Sequence, residues 1–261
     1  MIRMRAYAFL ARISAARRDE LAGAIVGSAF IMIVVTALGS LWSAAAANGP
    51  LGGYSRTELV WYIALAEIAV VSVASQFLID VGERIRDGEV ATLLTRPVSA
   101  AWYIVAEEFG ASLTRVAALL PASALIAFVL AGPPPSPQAL LTLVITLPLA
   151  IALQIVLTTA LAGATFWLGD SRAIWFLHQK VIFLLGGMLI PVELLPERAE
   201  PIVRVLPWAG IAYTPAATAV HLDTQTALLM VGMQVFWIGV CGCVLVGVFS
   251  LGQRRMAVGG G

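Results

Sequence analysis

The chain has 261 residues, of which 60% are apolar and only 12% charged, with a net charge of +1 and a mean hydropathy of +0.93. A soluble domain carries about 25% charged residues, so this composition excludes an ordinary soluble enzyme and a disordered chain. The basic residues form no dense patch, which excludes nucleic acid as a partner. The two cysteines, Cys241 and Cys243, point apart on a helix and form neither a disulfide nor a metal site. The chain reads as an integral membrane protein.

Residues 1–20 come first. Ile2, Ala6, Phe9, Leu10 and Ile13 share one helical face with arginines on its flanks, the pattern of a helix lying in the membrane interface; a plain cytosolic tail is the alternative. A bilayer core about 30 Å thick needs about 20 residues of helix. Six runs meet or approach that length: 21–47, 59–79, 103–131, 138–169, 173–190 and 227–252. Backbone polar groups in lipid must be satisfied within their own segment, so these runs are helices, and the alternating pattern of a membrane barrel is absent.

The basic residues orient the bundle. Arg3, Arg5, Arg12, Arg17, Arg18, Arg84, Arg86, Arg96, Arg172, Lys180, Arg254 and Arg255 fall on one side; Arg56, Arg198 and Arg204 fall on the other. The expected fold is an all-α integral membrane domain over 1–261, with six transmembrane helices and both termini cytoplasmic. One stretch tests that count. Residues 201–220 are apolar enough for a seventh span, but Pro201, Pro207 and Pro215 break helices. Residues 186–226 are therefore expected to form a broken, re-entrant hairpin on the outer face.

No G-x-x-x-x-G-K-[ST] loop occurs, so the chain lacks that device for ATP hydrolysis, and there is no H-E-x-x-H. His178 and His221, the only histidines, fall on opposite sides of the expected topology. The cytoplasmic segment 81–101 is richer. Asp87 is placed to cap a short helix, Val90, Leu93 and Leu94 share one face, and the Arg96-Pro97 step ends it. Such a helix suits a groove on a partner protein, or simply the lipid headgroups.

Two motifs carry a family resemblance: Ile85-Arg86-Asp87-Gly88-Glu89 followed by Leu93-Leu94-Thr95-Arg96-Pro97, and Leu185-Gly186-Gly187-Met188-Leu189-Ile190-Pro191-Val192-Glu193-Leu194-Leu195-Pro196 with Leu206-Pro207-Trp208 and Tyr213-Thr214-Pro215 downstream. In order, spacing and layout the chain resembles the transmembrane permeases of type-2 ABC exporters. It looks closest to a subgroup in which two different six-span permeases pair with a separate ATPase. The resemblance implies an ATPase-coupling role for Ile85, Arg86, Asp87, Glu89, Val90, Leu93, Leu94 and Arg96. It implies an outer gate at Gly186, Gly187, Pro191, Glu193, Pro207 and Trp208, and a substrate pathway lined by spans one, two and five. The implied partners are P-loop ATPase subunits and a second permease, either a different chain or a second copy. ATP and Mg would sit on the ATPase, with no cofactor on this chain, in a bacterial inner (plasma) membrane.

Ionisable groups inside spans cost about 2.5–3.5 kcal/mol or more near the centre, so each calls for a reason. Glu67 lies mid-span with Val71, Ala74 and Leu78 on its face and is the first candidate for the pathway; a structural pair with a partner permease is the alternative. Gln154 is a candidate contact or interhelical glue. Arg115 follows Glu108 by seven residues, about 10 Å along the helix, a separation that predicts no direct contact and leaves Arg115 another partner or water. Glu107 and Glu108 belong at the interface or with basic loop residues. Gly23-x-x-x-Gly27 and Cys243-x-x-x-Gly247 permit close helix approach, and Trp42, Trp61, Trp102, Trp167 and Trp175 fit an interfacial belt. The resulting expectation is an ATP-driven exporter of a hydrophobic or cationic small molecule. An ion-coupled transporter using Glu67, or a membrane scaffold without transport, is the competing reading.

Overall fold

The computed structural model describes residues 7, 8, 11, 33–93, 99–221 and 223–259. Of the expected interfacial helix only Tyr7, Ala8 and Ala11 are among these, all helical; the rest of 1–20, the Gly23/Gly27 pair, and Leu94, Arg96 and Pro97 lie outside the described residues.

The described residues are helical and carry no strand, only a Leu51–Tyr54 bridge. Among the described residues three helices are long and apolar enough to cross a membrane: Ala100–Ala131, Ala139–Leu168 and Thr224–Arg255. Their outward residues, among them Leu125, Val129, Val144, Phe236 and Leu251, are exposed and apolar, the surface lipid requires and water does not tolerate. We number the helices α1 (Ile33–Asn48, closing in a 3-10 turn), α2 (Arg56–Val71), α3 (Phe77–Arg86), α4 (Glu89–Leu93), α5 (Ala100–Ala131), α6 (Leu143–Ala162, entered through a 3-10 turn at Ala139–Thr142), α7 (Thr165–Leu168), α8 (Arg172–Leu185), α9 (Glu200–Val205), α10 (Tyr213–Val220) and α11 (Thr224–Gly259).

The second expected span is broken and central. Ser55 starts α2 with a capping box, its hydroxyl accepting from the Glu58 N–H while the Glu58 carboxylate accepts from the Ser55 N–H. Every residue of α2 from Leu59 to Val70 is then buried. A helix apolar all round belongs inside a bundle, and α2 is wrapped by α5, α6 and α10. It ends at Val71, where the Ser72 hydroxyl turns back to the Ala69 carbonyl (2.9 Å) and competes with helical bonding. The chain resumes as α3 only at Phe77. Its neighbour α5 is fastened along it: Thr57 and the Trp61 indole donate to the carbonyls of Ala131 and Gly132, and Ser123 to that of Ala64.

Residues 201–220 are not one helix. Pro201 sits in the first turn of α9 and Pro215 in that of α10, where the missing N–H has no intrahelical partner to lose. The two are separated by a buried turn through Pro207, Ala209 and Gly210. Asp223 opens α11 by accepting from the Thr226 hydroxyl and N–H, which hold its carboxyl below the usual range.

Two packing expectations are corrected. Cys243 and Gly247 both face outward, and nothing among the described residues approaches Gly247; α11 instead meets α6 and α7 where Val248 lies against Gly163 and Phe166 against Gly252. Trp61 is buried, 5% exposed, rather than belted at the interface. The indoles of Trp42, Trp61 and Trp175 each donate to a carbonyl of another segment, at Leu189, Gly132 and Ser75, so each ties two segments of the chain together.

Candidate functional site

The break between α2 and α3 is gripped from two sides. From α5, Glu108 Oε1 accepts the Ala74 N–H (3.0 Å), and Arg115 Nη1 donates to the Ser72 carbonyl (2.9 Å). From α8, the Trp175 indole (2.6 Å) and Gln179 Nε2 (3.1 Å) donate to the Ser75 carbonyl. Backbone groups freed by the break are thereby satisfied by side chains of neighbouring helices. Arg115 and Glu108 meet at 2.7 Å, which corrects the expectation that they could not touch. Side chains leaning toward each other along one helical stripe close the two turns, because Arg is long and Glu108 bends back to the break. Glu107 pairs with Arg84 at 2.8 Å.

Above this break lies a cavity of about 1030 Å³, the size of a drug-like ligand site. Its wall draws on α1 (Ile33, Val34, Ala37, Leu38), α2 (Glu67, Val70, Val71), α5 (Arg115, Leu119), α6 (Gln154, Thr158) and α8 with the residues after it (Trp175, His178, Gln179, Ile182, Phe183, Met188, Leu189). The three residues singled out in the spans, Glu67, Gln154 and Arg115, thus share one wall. Glu67 is 1% exposed, and neither of its carboxylate oxygens has a hydrogen-bond partner among the described residues. Gln154 donates from Nε2 to the Val70 carbonyl (3.1 Å), leaving Oε1 without a donor. His178 was not singled out from sequence. It accepts from the Trp208 indole on Nδ1 (3.4 Å) and meets Thr158 on Nε2 (3.3 Å). Trp208, expected at the outer gate, therefore reaches the cavity's histidine; the signal was its place after Pro207, which turns the chain inward.

The remaining gate residues form a second cluster. Gly187 adopts φ +75°, its carbonyl accepts the Tyr62 hydroxyl (2.5 Å), and the Gly186 carbonyl accepts the Tyr213 N–H (2.9 Å). Pro191 is buried beside them. Glu193 accepts from the Tyr213 hydroxyl (2.5 Å) and from Arg204 (3.1 Å), which also holds Glu200 (2.8 Å). Nearby, His221 pairs with Glu58 (3.0 Å) and packs edge-on against Tyr54; burial, then the Glu193 charge, pushes the Tyr54 hydroxyl pKa up. Gly187 is indispensable for two reasons. A methyl group there would lie 2.9 Å from both Tyr213 Cβ and Tyr62 Oη, and φ +75° is itself unfavourable for any other residue by about 1–2 kcal/mol. Gly53 has φ +84° with open space around it. Gly187→Ala should therefore destabilise the chain clearly more than Gly53→Ala in thermal unfolding; equal losses would mean the tyrosine contacts carry nothing.

The segment expected to couple to an ATPase is arranged differently from its sequence reading. Asp87 does not start the short helix; it closes α3, its N–H bonded to the Glu83 carbonyl, and Gly88 (φ +77°) makes the turn into α4. Val90 is wholly buried and Ile85 4% exposed, both within the chain's own core, with Leu93 packed against it. Of the apolar face that was to seat on a partner, Val90 is thus spent on the chain's own core and Leu93 is half-buried, because α4 is only five residues long and folds back onto α3, while Leu94 lies outside the described residues. Arg86, Asp87, Glu89 and Thr92 face outward instead. Arg172 at the start of α8 reaches Glu83 (3.8 Å). Tyr7 accepts the Ser99 N–H (3.1 Å), and the Ala11 backbone lies against Gly110, so these two residues rest on the first third of α5.

A model of the ABC-2 family transporter proteins matches residues 23–260. No curated protein matches the chain. An apolar helical bundle and a family match over nearly the whole length agree: the chain belongs to the ABC-2 transporter family, as a membrane-resident permease subunit that associates with an ATPase subunit and is not itself the ATPase.

Proposed function

We propose that the chain is one permease of an ATP-driven exporter that moves a hydrophobic or cationic small molecule out of the cytoplasm by alternating access, with six spans and both termini cytoplasmic. A second permease, a different chain or a second copy, would complete the pathway, and the ATP and Mg would belong to the ATPase. The observation that carries this reading is the cavity, mostly apolar and lined by Glu67, which has no hydrogen-bond partner among the described residues. A carboxylate in that setting is retained at a cost, and a cargo that neutralises it is the simplest reason for keeping it.

Driving a two-state bundle from 1:99 to 99:1 takes about 5.5 kcal/mol of differential binding, which ATP closure of the ATPase would supply through the outward face of α3 and α4. The continuous path from there to the cavity supports this: α3 leads into the gripped break, and the break forms the cavity floor through Ala74, Ser75 and Leu78. Arg172 and Glu107 brace the same segment.

The test is a purification in mild detergent with mass spectrometry, followed by transport in proteoliposomes. A P-loop ATPase and a second permease should accompany the chain, and transport should stop when ATP is withdrawn. Transport that survived ATP depletion and followed a proton gradient would favour the ion-coupled alternative. Within the assembled transporter, Arg86→Glu with Glu89→Lys should uncouple ATP hydrolysis from transport while leaving the chain folded. Val90→Asp should fail earlier, at folding, because it places a charge in the core. If the double reversal transported normally, this face would not be the coupling surface.

A further inference from the structure

Three acceptor atoms of residues that line the cavity lack donors among the described residues. Both Glu67 oxygens and Gln154 Oε1 are buried without a hydrogen-bond partner among the described residues. They belong to neighbouring helices, α2 and α6, and their registers match: Gln154 Nε2 donates to the carbonyl of Val70, one turn beyond Glu67. That bond also fixes the amide, since only the nitrogen can face a carbonyl, and so the oxygen is the atom left over.

The other polar groups on the wall do not meet this demand. The Arg115 guanidinium is engaged with Glu108 and the Ser72 carbonyl. His178 accepts on Nδ1 from Trp208, which leaves it an uncharged ring whose Nε2 is directed at Thr158. Around them the wall is apolar, through Leu119, Ile182, Phe183 and Met188 among others.

We infer, on the permease reading given above, that this cavity takes a lipophilic amine bearing N–H donors, a primary or secondary ammonium on an apolar body, in preference to a quaternary ammonium or a neutral molecule of the same shape. A quaternary ammonium would balance the Glu67 charge but offer Gln154 no hydrogen. A neutral amide would offer a hydrogen but no charge. Sites whose buried polar groups need a partner discriminate sharply against the analogue that lacks it.

Three dansyl probes test this on the full chain in lipid nanodiscs, read by tryptophan-to-dansyl energy transfer above protein-free discs: N-dansyl-1,6-diaminohexane, its N,N,N-trimethyl derivative and its N-acetyl derivative. The primary amine should bind at least about tenfold more tightly than either derivative. Glu67→Gln should bring the primary amine down to the acetylated probe. Gln154→Leu should close the gap between primary and trimethyl probes while both still exceed the acetylated one. Equal binding of the three probes to the unaltered chain overturns the inference without any variant. So does a Glu67→Gln chain that binds the amine normally but loses its permease partner, which would make Glu67 an assembly residue. The two layers separate cleanly: the expected ranking without ATP-dependent transport in the complex sinks the exporter and keeps the site, whereas ATP-dependent transport with no ranking does the reverse.

Discussion

Arg115→Ala is expected to lower the stability of the chain by about 3 kcal/mol, the lower end of the cost of stripping one partner from a buried ion pair. The pair is part-buried, with side chains 13% and 10% exposed, which places the cost at that lower end. Three groups lose satisfaction at once. Glu108 loses its cation and the Ser72 carbonyl its donor, and a Glu108 freed to reorient would no longer hold the Ala74 N–H. Glu108→Gln should cost less, because an amide oxygen still accepts from both Arg115 and Ala74. Thermal unfolding of the detergent-solubilised chain measures both. The functional consequence is separable from stability: with the break released, ATP hydrolysis in the assembled transporter should continue while transport falls, since α3 would move without carrying the cavity floor. An Arg115→Ala chain that melts with the unaltered one would show that the break does not depend on this pair.

Glu67→Leu is expected to act in the opposite sense on stability and in the same sense on transport. A buried carboxylate without a donor is a cost to the fold; an apolar residue of similar volume removes it and should stabilise by about 1–3 kcal/mol. Transport of a cationic cargo should fall at least tenfold, the loss of about 1.4 kcal/mol or more of interaction. Gain in one measure with loss in the other is the signature of a residue kept for function at the expense of the fold. Were Glu67 a structural residue instead, Glu67→Leu would lower the melting temperature, and transport would decline only as far as folding did.

These two residues also mark how far the sequence could be read. Membrane residence, helical class and the lengths of the three long helices follow from composition and apolar run length, because in lipid the backbone must satisfy itself segment by segment. Glu67, Gln154 and Arg115 stood out for the same reason: a polar group in an apolar run is expensive wherever it ends up. The prolines of 201–220 announced that this run would break, since each removes a helical donor locally. The Glu108–Arg115 contact, the inward face of Val90, the burial of Trp61 and the engagement of His178 with Trp208 were not legible. In each case the apolar or polar character of the residue was plain, but its partner lay on another helix or depended on a backbone break whose place is set by packing. Run length assigns a residue to the membrane; which face of a helix meets lipid and which meets protein is decided only when the helices assemble. A short amphipathic stretch such as α4 looks the same in sequence whether its apolar side waits for a partner or is already spent on the chain's own core. Sequence by itself thus determined the solvent and the set of costly residues. The tertiary structure alone decided which of those costs are met internally, as at Arg115, and which, as at Glu67, find no hydrogen-bond partner among the described residues.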